Sequence, residues 1–364
     1  MEHYYSVILA GGVGKRFWPL SRKKHPKQLL DIVGNKSMIN LTIDRLKIIN
    51  DLDHIFIMTN KEQAKMIMAQ NKTLTEDNFI IEPSGKNTAP AIGLAAMHLL
   101  KKDPDAVMGL FPADHLITDL DKFSVTIKAA IEAAKSTKTL FTFGVRPTYP
   151  ATGYGYIQVD KDVEYTGSVV PENTQIFNSK TFAEKPDPNT AKLFLKSGEF
   201  FWNSGMFVWK AQVILDKINR FLPEIGRILH EIGDLMGTPQ YDRQINKKWK
   251  TITPISIDYG VLEQSSRINV VIAEFDWNDV GSWDTVYKIE EKDKNKNVFR
   301  SKGMMLRSSG NYIYSNNLKI FGLGVKNLVI VENEGALLIL PRSEAENIKE
   351  IVDSLPFIGE EELL

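Results

Sequence analysis

Through the first 145 residues, short apolar runs alternate with apolar stripes at helical spacing, and that order constrains the fold more than any other feature. Tyr5 to Leu9 reads as a buried strand, and Met38, Leu41, Ile43, Leu46 and Ile49 mark a helical face. His54 to Met58 and Phe79 to Ile81 read as strands on either side of a helix at Ala64 to Ala69. Ile92, Ala95, Ala96, Leu99 and Leu100 follow a helical period, with Asn87 placed to cap it. Ala106 to Phe111 is continuously apolar, as a strand covered on both faces must be. Phe123, Ile127, Ala130, Ile131 and Ala134 give another helix, and Thr139 to Val145 another strand. Strand and helix in alternation predict an α/β fold, a Rossmann-like mixed, mostly parallel sheet flanked by helices.

Beyond residue 150 the pattern is mixed. Tyr154 to Val159 and Thr174 to Glu184 read as strands, Asn189 to Leu195 and Ala211 to Phe221 as helices, and Pro223 to Trp249 as partly polar helix. The polar run Lys292-Asp293-Lys294-Asn295-Lys296-Asn297 reads as a linker, dividing residues 1–291 from residues 292–364. The second part holds short β-like pieces at Asn311 to Tyr314, Leu318 to Phe321, Leu328 to Glu332 and Ala336 to Leu340, then a closing helix at Ser343 to Leu355. These pieces suit a small β-rich region, of the kind that builds part of a β-helix.

The 364 residues suffice for about two domains. Lys and Arg number 45, as do Asp and Glu, so no global charge draws the chain to nucleic acid or a membrane surface. There is no cysteine, which excludes disulfides, thiolate metal sites and a thiol nucleophile, and suits a reducing compartment. No uncharged apolar run approaches the ~20 residues of a membrane span, and Met1-Glu2-His3-Tyr4-Tyr5 lacks the look of a signal peptide. The expectation is a cytoplasmic enzyme or binding protein with no nucleic-acid or membrane partner.

Chemistry concentrates where the first strand ends. Gly11, Gly12 and Gly14 are followed at once by Lys15 and Arg16, then by Arg22, Lys23, Lys24 and Lys27. Glycine lets a phosphate reach the backbone without meeting a Cβ, and successive N–H groups form an anion nest. Arg16 offers a planar fork to phosphate oxygens, and Lys27 a compact charge. The spacing is not that of a dinucleotide-binding loop, because Phe17 stands at the last glycine position. Nor is it a P-loop, because Arg16 stands where a Ser or Thr must meet the metal. The plain alternative is a surface turn with solvated charges, which Pro19 and Pro26 argue against by stiffening the segment.

Asp114 follows the buried strand directly, at the carboxyl end where α/β sheets bind ligands. A second acid, Asp279, lies in Asp279-Val280-Gly281-Ser282-Trp283. Two such carboxylates suit Mg²⁺, which prefers one or two acids plus phosphate oxygens and water; each is otherwise read as a local turn cap.

The run GGVGKRFWPLSRKKHPKQ, residues 11–28, resembles the signature of sugar-nucleotide pyrophosphorylases, most closely mannose-1-phosphate guanylyltransferases. Trp18, Ser21 and Gln28 belong to the guanylyl branch of the pattern, whereas Lys15-Arg16-Phe17 departs from the Thr-Arg-Leu of many members. The resemblance extends through separate motifs over roughly residues 5 to 290. It implies the nucleotide-diphospho-sugar transferase fold and transfer of GMP from GTP to mannose 1-phosphate, with GDP-mannose and pyrophosphate as products. It implies Arg16 and Lys27 as catalytic cations, and Gly11, Gly12, Gly14, Lys15, Glu82, Asn87 and Ala89 on the nucleotide. Asp114 and Asp279 would hold Mg²⁺, and Gly153, Glu184, Lys185 and Asn203 would face the hexose phosphate. Asp258 reads either as a further sugar-side group or as the cap of a helix beginning at Tyr259. A homodimer is left open. The competing expectations are a transferase for another nucleotide or hexose, and a silent sugar-nucleotide-binding regulator.

Overall fold

The computed structural model describes residues 1–12, 14–164 and 174–364; Val13, within the glycine-rich segment, and residues 165–173 lie outside the described residues. Internal contacts divide the chain into two units. The first comprises Met1–Gly11, Thr42–Ala113 and Ile117–Trp277; the second comprises Gly12–Leu41, Asp114–Leu116 and Asn278–Leu364. In chain order the elements begin β1 (Tyr4–Leu9), α1 (Met38–Leu46), β2 (Ile55–Thr59), α2 (Lys61–Gln70), β3 (Phe79–Ile81), α3 (Thr88–Lys102), β4 (Val107–Pro112), α4 (Leu120–Ser136) and β5 (Leu140–Val145).

The first unit continues with β6 (Tyr156–Glu164), β7 (Ile176–Ala183), α5 (Pro188–Ser197), β8 (Phe200–Lys210), α6 (Ala211–Phe221), α7 (Pro223–Gly233), α8 (Tyr241–Lys250) and β9 (Ile268–Ile272). Among the described residues its nine strands form one sheet in the order β3-β2-β1-β4-β8-β5-β9-β7-β6. The run β3-β2-β1-β4 is parallel, as is β5 beside β9. β8 enters antiparallel between β4 and β5, and β6 and β7 pair antiparallel at the far edge. Alternation along β4 assigns the two faces. Met108 and Leu110 enter a buried cluster with Ile92 and Leu99 of α3, Ile214 and Ile218 of α6 and Leu229 of α7. Phe111 turns the other way and meets Phe123 of α4, ring centroids 6.1 Å apart. The expected α/β sheet with flanking helices is therefore the fold.

β8 is absent from the sequence pattern for a physical reason. Asn203-Ser204-Gly205 interrupts its apolar run, and both Asn203 and Ser204 are buried. Burial is tolerated because the Thr142 hydroxyl donates to Asn203 Oδ1 at 2.8 Å. The predicted helix over 223–249 resolves into α7 and α8, separated by a turn that contains Gly237 at φ 83°.

The second unit closes the chain with α9 (Trp283–Ile289), β10 (Val298–Leu306), β11 (Tyr312–Leu323), β12 (Leu328–Asn333), β13 (Ala336–Pro341) and α10 (Ile348–Ser354). β10, β11 and β12 are parallel, and β13 returns antiparallel. The two predicted pieces at 311–314 and 318–321 are one long strand, β11. Buried asparagines join its coils. Asn311 Nδ2 donates to Asn297 Oδ1 at 2.9 Å and to the Val325 carbonyl at 3.0 Å, while its Oδ1 accepts from Leu328 N at 2.9 Å. The core of this unit centres on Trp283, fully buried, which meets Phe17 edge-on at 5.0 Å and stacks on Tyr312 at 5.3 Å. Among the described residues no helix is long and apolar enough to cross a membrane.

Because Trp283 joins the glycine-rich segment to the β-rich coils within this unit, Trp283→Ala is expected to destabilise the protein by about 3–5 kcal/mol. Urea denaturation followed by circular dichroism measures it; a loss below about 1 kcal/mol would show that Trp283 is not a core anchor.

Candidate active site

The second unit gathers most of the cations and acids singled out in the sequence. Gly14 adopts φ 76°, the left-handed conformation that glycine accepts readily, and a Cβ there would collide with the Lys27 side chain. The Ser21 hydroxyl fastens the turn by donating to the Gly14 carbonyl at 2.7 Å. Lys27 is buried, and its ammonium donates to Asp114 Oδ2 at 2.7 Å and to the Asp279 carbonyl at 2.9 Å. It also lies over the Phe17 ring, 5.4 Å from the centroid. Burial opposes the charge on Asp114, yet Lys27 and His115 together hold its carboxyl below the usual range.

The two aspartate loops are clipped together by a short antiparallel bridge. Leu116 N donates to the Asn278 carbonyl at 2.8 Å, and Asn278 N returns to Leu116 at 3.0 Å. Asn278 Oδ1 also accepts from Val280 N at 2.7 Å, holding Val280 at a strained φ of 46°. Asp114 and Asp279, some 165 residues apart in sequence, thereby line one cavity of about 420 Å³ together with Gly14, Lys15, Arg16, Lys27 and Lys349. Arg16 Nε is buried there without a hydrogen-bond partner among the described residues. Gly12 stands exposed with open space about it. Lys349 is a lining residue that motif reading passed over, because it is an isolated lysine far down the chain.

The remaining predicted residues lie in the first unit. Glu82 is buried at the end of β3; Oε1 lies 3.3 Å from where a Cβ on Gly11 would stand, and Oε2 has no partner among the described residues. Burial pushes its carboxyl up to about 7, against the pull of the Lys86 N–H. The segment after it is pinned. Trp249 Nε1 donates to the Ser84 carbonyl at 2.7 Å, and Lys86 Nζ to the carbonyls of Lys250 and Ile252 at 3.0 and 2.7 Å. Asn87, at φ 69°, caps α3 by accepting from Thr88 N at 2.8 Å. Ala89 is fully buried and gives its N–H to the Ile255 carbonyl at 3.1 Å.

Glu184 and Lys185 follow β7. Burial opposes the charge on Lys185, but its Nζ pairs with Glu184 Oε1 at 2.5 Å and the lysine stays charged. The second oxygen of Glu184 and the Asn203 side chain both crowd Gly155, where a Cβ would collide with them. Gly153 itself stands in open space. Asn203 Nδ2 donates to Asp258 Oδ1 at 2.9 Å. Asp258 opens a π-helical turn, Asp258–Leu262, and makes no helix cap. Burial, then the neighbouring Glu184 charge, push its carboxyl up to about 6.

Comparison with known proteins gives the family. A nucleotidyl transferase family model covers residues 5–296, and a MannoseP isomerase/GMP-like beta-helix domain model covers residues 302–355. A mannose-1-phosphate guanylyltransferase of Escherichia coli is 35% identical, over 98% of this chain and 76% of its own length. The chain belongs to the mannose-1-phosphate guanylyltransferase family of nucleotidyl transferases. A crystal structure described as a mannose-1-phosphate geranyltransferase from Thermus thermophilus superimposes with a TM-score of 0.84 at 28% identity, covering 97% of this chain and 99% of that one. A structure described as a mannose-6-phosphate isomerase from Helicobacter pylori gives 0.60 at 28% identity, covering 76% of this chain and 99% of that one. In this guanylyltransferase-family chain the β-helix match falls on the coils that follow α9.

Glu82 carries a testable sign. Its folded value lies above that of an unfolded glutamate, so its contribution to stability is present at low pH and lost as pH rises through about 7. Relative to the parent, Glu82→Gln should therefore gain stability on going from pH 5 to pH 8. Paired urea denaturation curves at the two values check this; a gap that stays constant rules out a raised Glu82.

Proposed function

We propose that the chain transfers GMP from GTP to mannose 1-phosphate, forming GDP-mannose and pyrophosphate. The observation that carries this reading is the Lys27 ammonium, fixed between the Asp114 carboxylate and the Asp279 carbonyl, in a cavity it shares with Gly14 and Arg16. The nucleophile needs no base, since a sugar phosphate is already ionised near neutral pH, with a second pKa of about 6. The obstacle is repulsion between two anions and the charge left on pyrophosphate.

Arg16, with the backbone N–H groups of Gly11, Gly12, Gly14 and Lys15, takes the triphosphate. Lys27 offsets charge growing at the reacting α-phosphate. Lys185 holds the attacking phosphate, and Glu184 accepts sugar hydroxyls with Gly153 and Asn203 beside it. Glu82, Asn87 and Ala89 take the guanine and ribose, and the unpartnered Glu82 oxygen is an acceptor for a base N–H. Asp114 and Asp279 would hold Mg²⁺; two hard oxygen donors on one cavity fit such an ion, and its charge would offset that of the triphosphate. Catalysis is then by placement and fixed charge, with no covalent intermediate. The cysteine-free composition suits a cytoplasmic setting.

Incubation with Mg²⁺, mannose 1-phosphate and each NTP in turn, followed by product mass, should give GDP-mannose from GTP in preference to the others. Product from a different nucleotide, or none, removes this reading. Lys27→Ala and Asp279→Asn should each lower turnover by about 10²–10³ while the circular dichroism spectrum stays native. Near-parental turnover in both would remove the mechanism.

A further inference from the structure

The cavity of the second unit has a cation that neither the sequence motifs nor the proposed mechanism uses. Lys349 is the second residue of α10, and it lines the same space as Gly14, Arg16, Lys27, Asp114 and Asp279. Its placement is built. Ile348 and Val352, one helical turn apart, are buried in the core with Phe17, Trp18 and Trp283 and fix the rotation of α10. The helix packs on the turn Lys15–Phe17. Lys349 and Asp353, also one turn apart, then run along that turn, and Asp353 Oδ1 meets Lys15 Nζ at 2.6 Å. The tail holds the same region. Trp18 Nε1 donates to the Leu363 carbonyl at 3.0 Å, and Lys23 N to that of Leu364 at 2.9 Å.

The charges on this cavity are unequally matched. Lys27 is paired with Asp114, and Lys15 with Asp353. Lys349 has no carboxylate partner among the described residues, and Arg16 Nε is buried without a hydrogen bond. Two cations on facing pieces of chain, one a planar fork and one a mobile point charge, suit an anion with several phosphate groups. We infer that Lys349 is a phosphate-binding residue of this cavity and, with Arg16, takes the terminal phosphates of the nucleotide and the pyrophosphate they become. The identity of that ligand rests on the guanylyl-transfer reading; the site for linked phosphates does not. α10 is thus a wall of the cavity as well as a closing element.

Binding of inorganic tripolyphosphate to the full chain in Mg²⁺ buffer tests this by calorimetry. Lys349→Ala should weaken binding about tenfold, Lys349→Arg should restore most of it, and raising the salt should shrink the difference. Lys349 is exposed, so a native thermal melt is expected for both variants. Equal affinity of parent and Lys349→Ala, or no binding by the parent, overturns the inference. In the transfer assay Lys349→Ala should raise KM for GTP and leave KM for the sugar phosphate unchanged; the reverse pattern overturns it as well. Absence of guanylyl transfer in the parent would defeat the activity reading alone, because tripolyphosphate binding would still decide Lys349.

Discussion

The buried ammonium of Lys27 is the interaction on which the cavity's organisation depends. A cation in that position without partners would be costly, and the Asp114 carboxylate with the Asp279 carbonyl removes most of the cost. The same contacts fix three distant stretches of chain to one point: the segment after Pro26, the loop after β4, and the turn before α9. Removing the ammonium would leave Asp114 with His115 and a backbone N–H to offset its burial, and the carboxyl would rise. An acid shifted that way is a poorer ligand for a divalent ion, so the structural role of Lys27 and the metal-holding role proposed for Asp114 are linked.

Acidic groups in this protein are held in two opposed states by their surroundings. Asp114 is kept ionised by a neighbouring ammonium. Glu82 and Asp258 are pushed up by burial, to about 7 and about 6. A buried carboxyl oxygen with no partner among the described residues, such as Glu82 Oε2, is costly and gains when a ligand donates to it. Asp258 accepts from the side chain of Asn203, whose carbonyl oxygen in turn accepts from Thr142. The amide of Asn203 is thereby fixed in orientation before any ligand arrives.

The alternating first half made the sheet legible, because parallel strands covered on both faces must be continuously apolar. Residues 11–28 made one wall of the cavity legible, because a glycine-rich turn followed by so many cations stands out in the sequence, and Gly14, Lys15, Arg16 and Lys27 do line it. What escaped the pattern had a local cause. β8 hides behind Asn203-Ser204-Gly205, whose burial is tolerated because Thr142 and Asp258 pair with the Asn203 amide. β11 reads as two pieces because Asn316 and Asn317 interrupt its apolar stretches. The crowding of Gly155 by Glu184 and Asn203 also escaped the pattern, since it exists only after folding. Lys349 carries no local signal at all.

That last omission bears on what the β-rich region is for. α10 is seated by its buried Ile348 and Val352, and that packing would hold with any residue on its outer strip. Here that strip carries a lysine facing the cavity and an aspartate pairing Lys15. Asp353 pairs with Lys15, which itself lines the cavity, so the helix that brings Lys349 also meets the first cation of the glycine-rich segment. The charge facing the cavity is therefore contributed by both the glycine-rich segment and α10, and neither stretch of sequence specifies it alone.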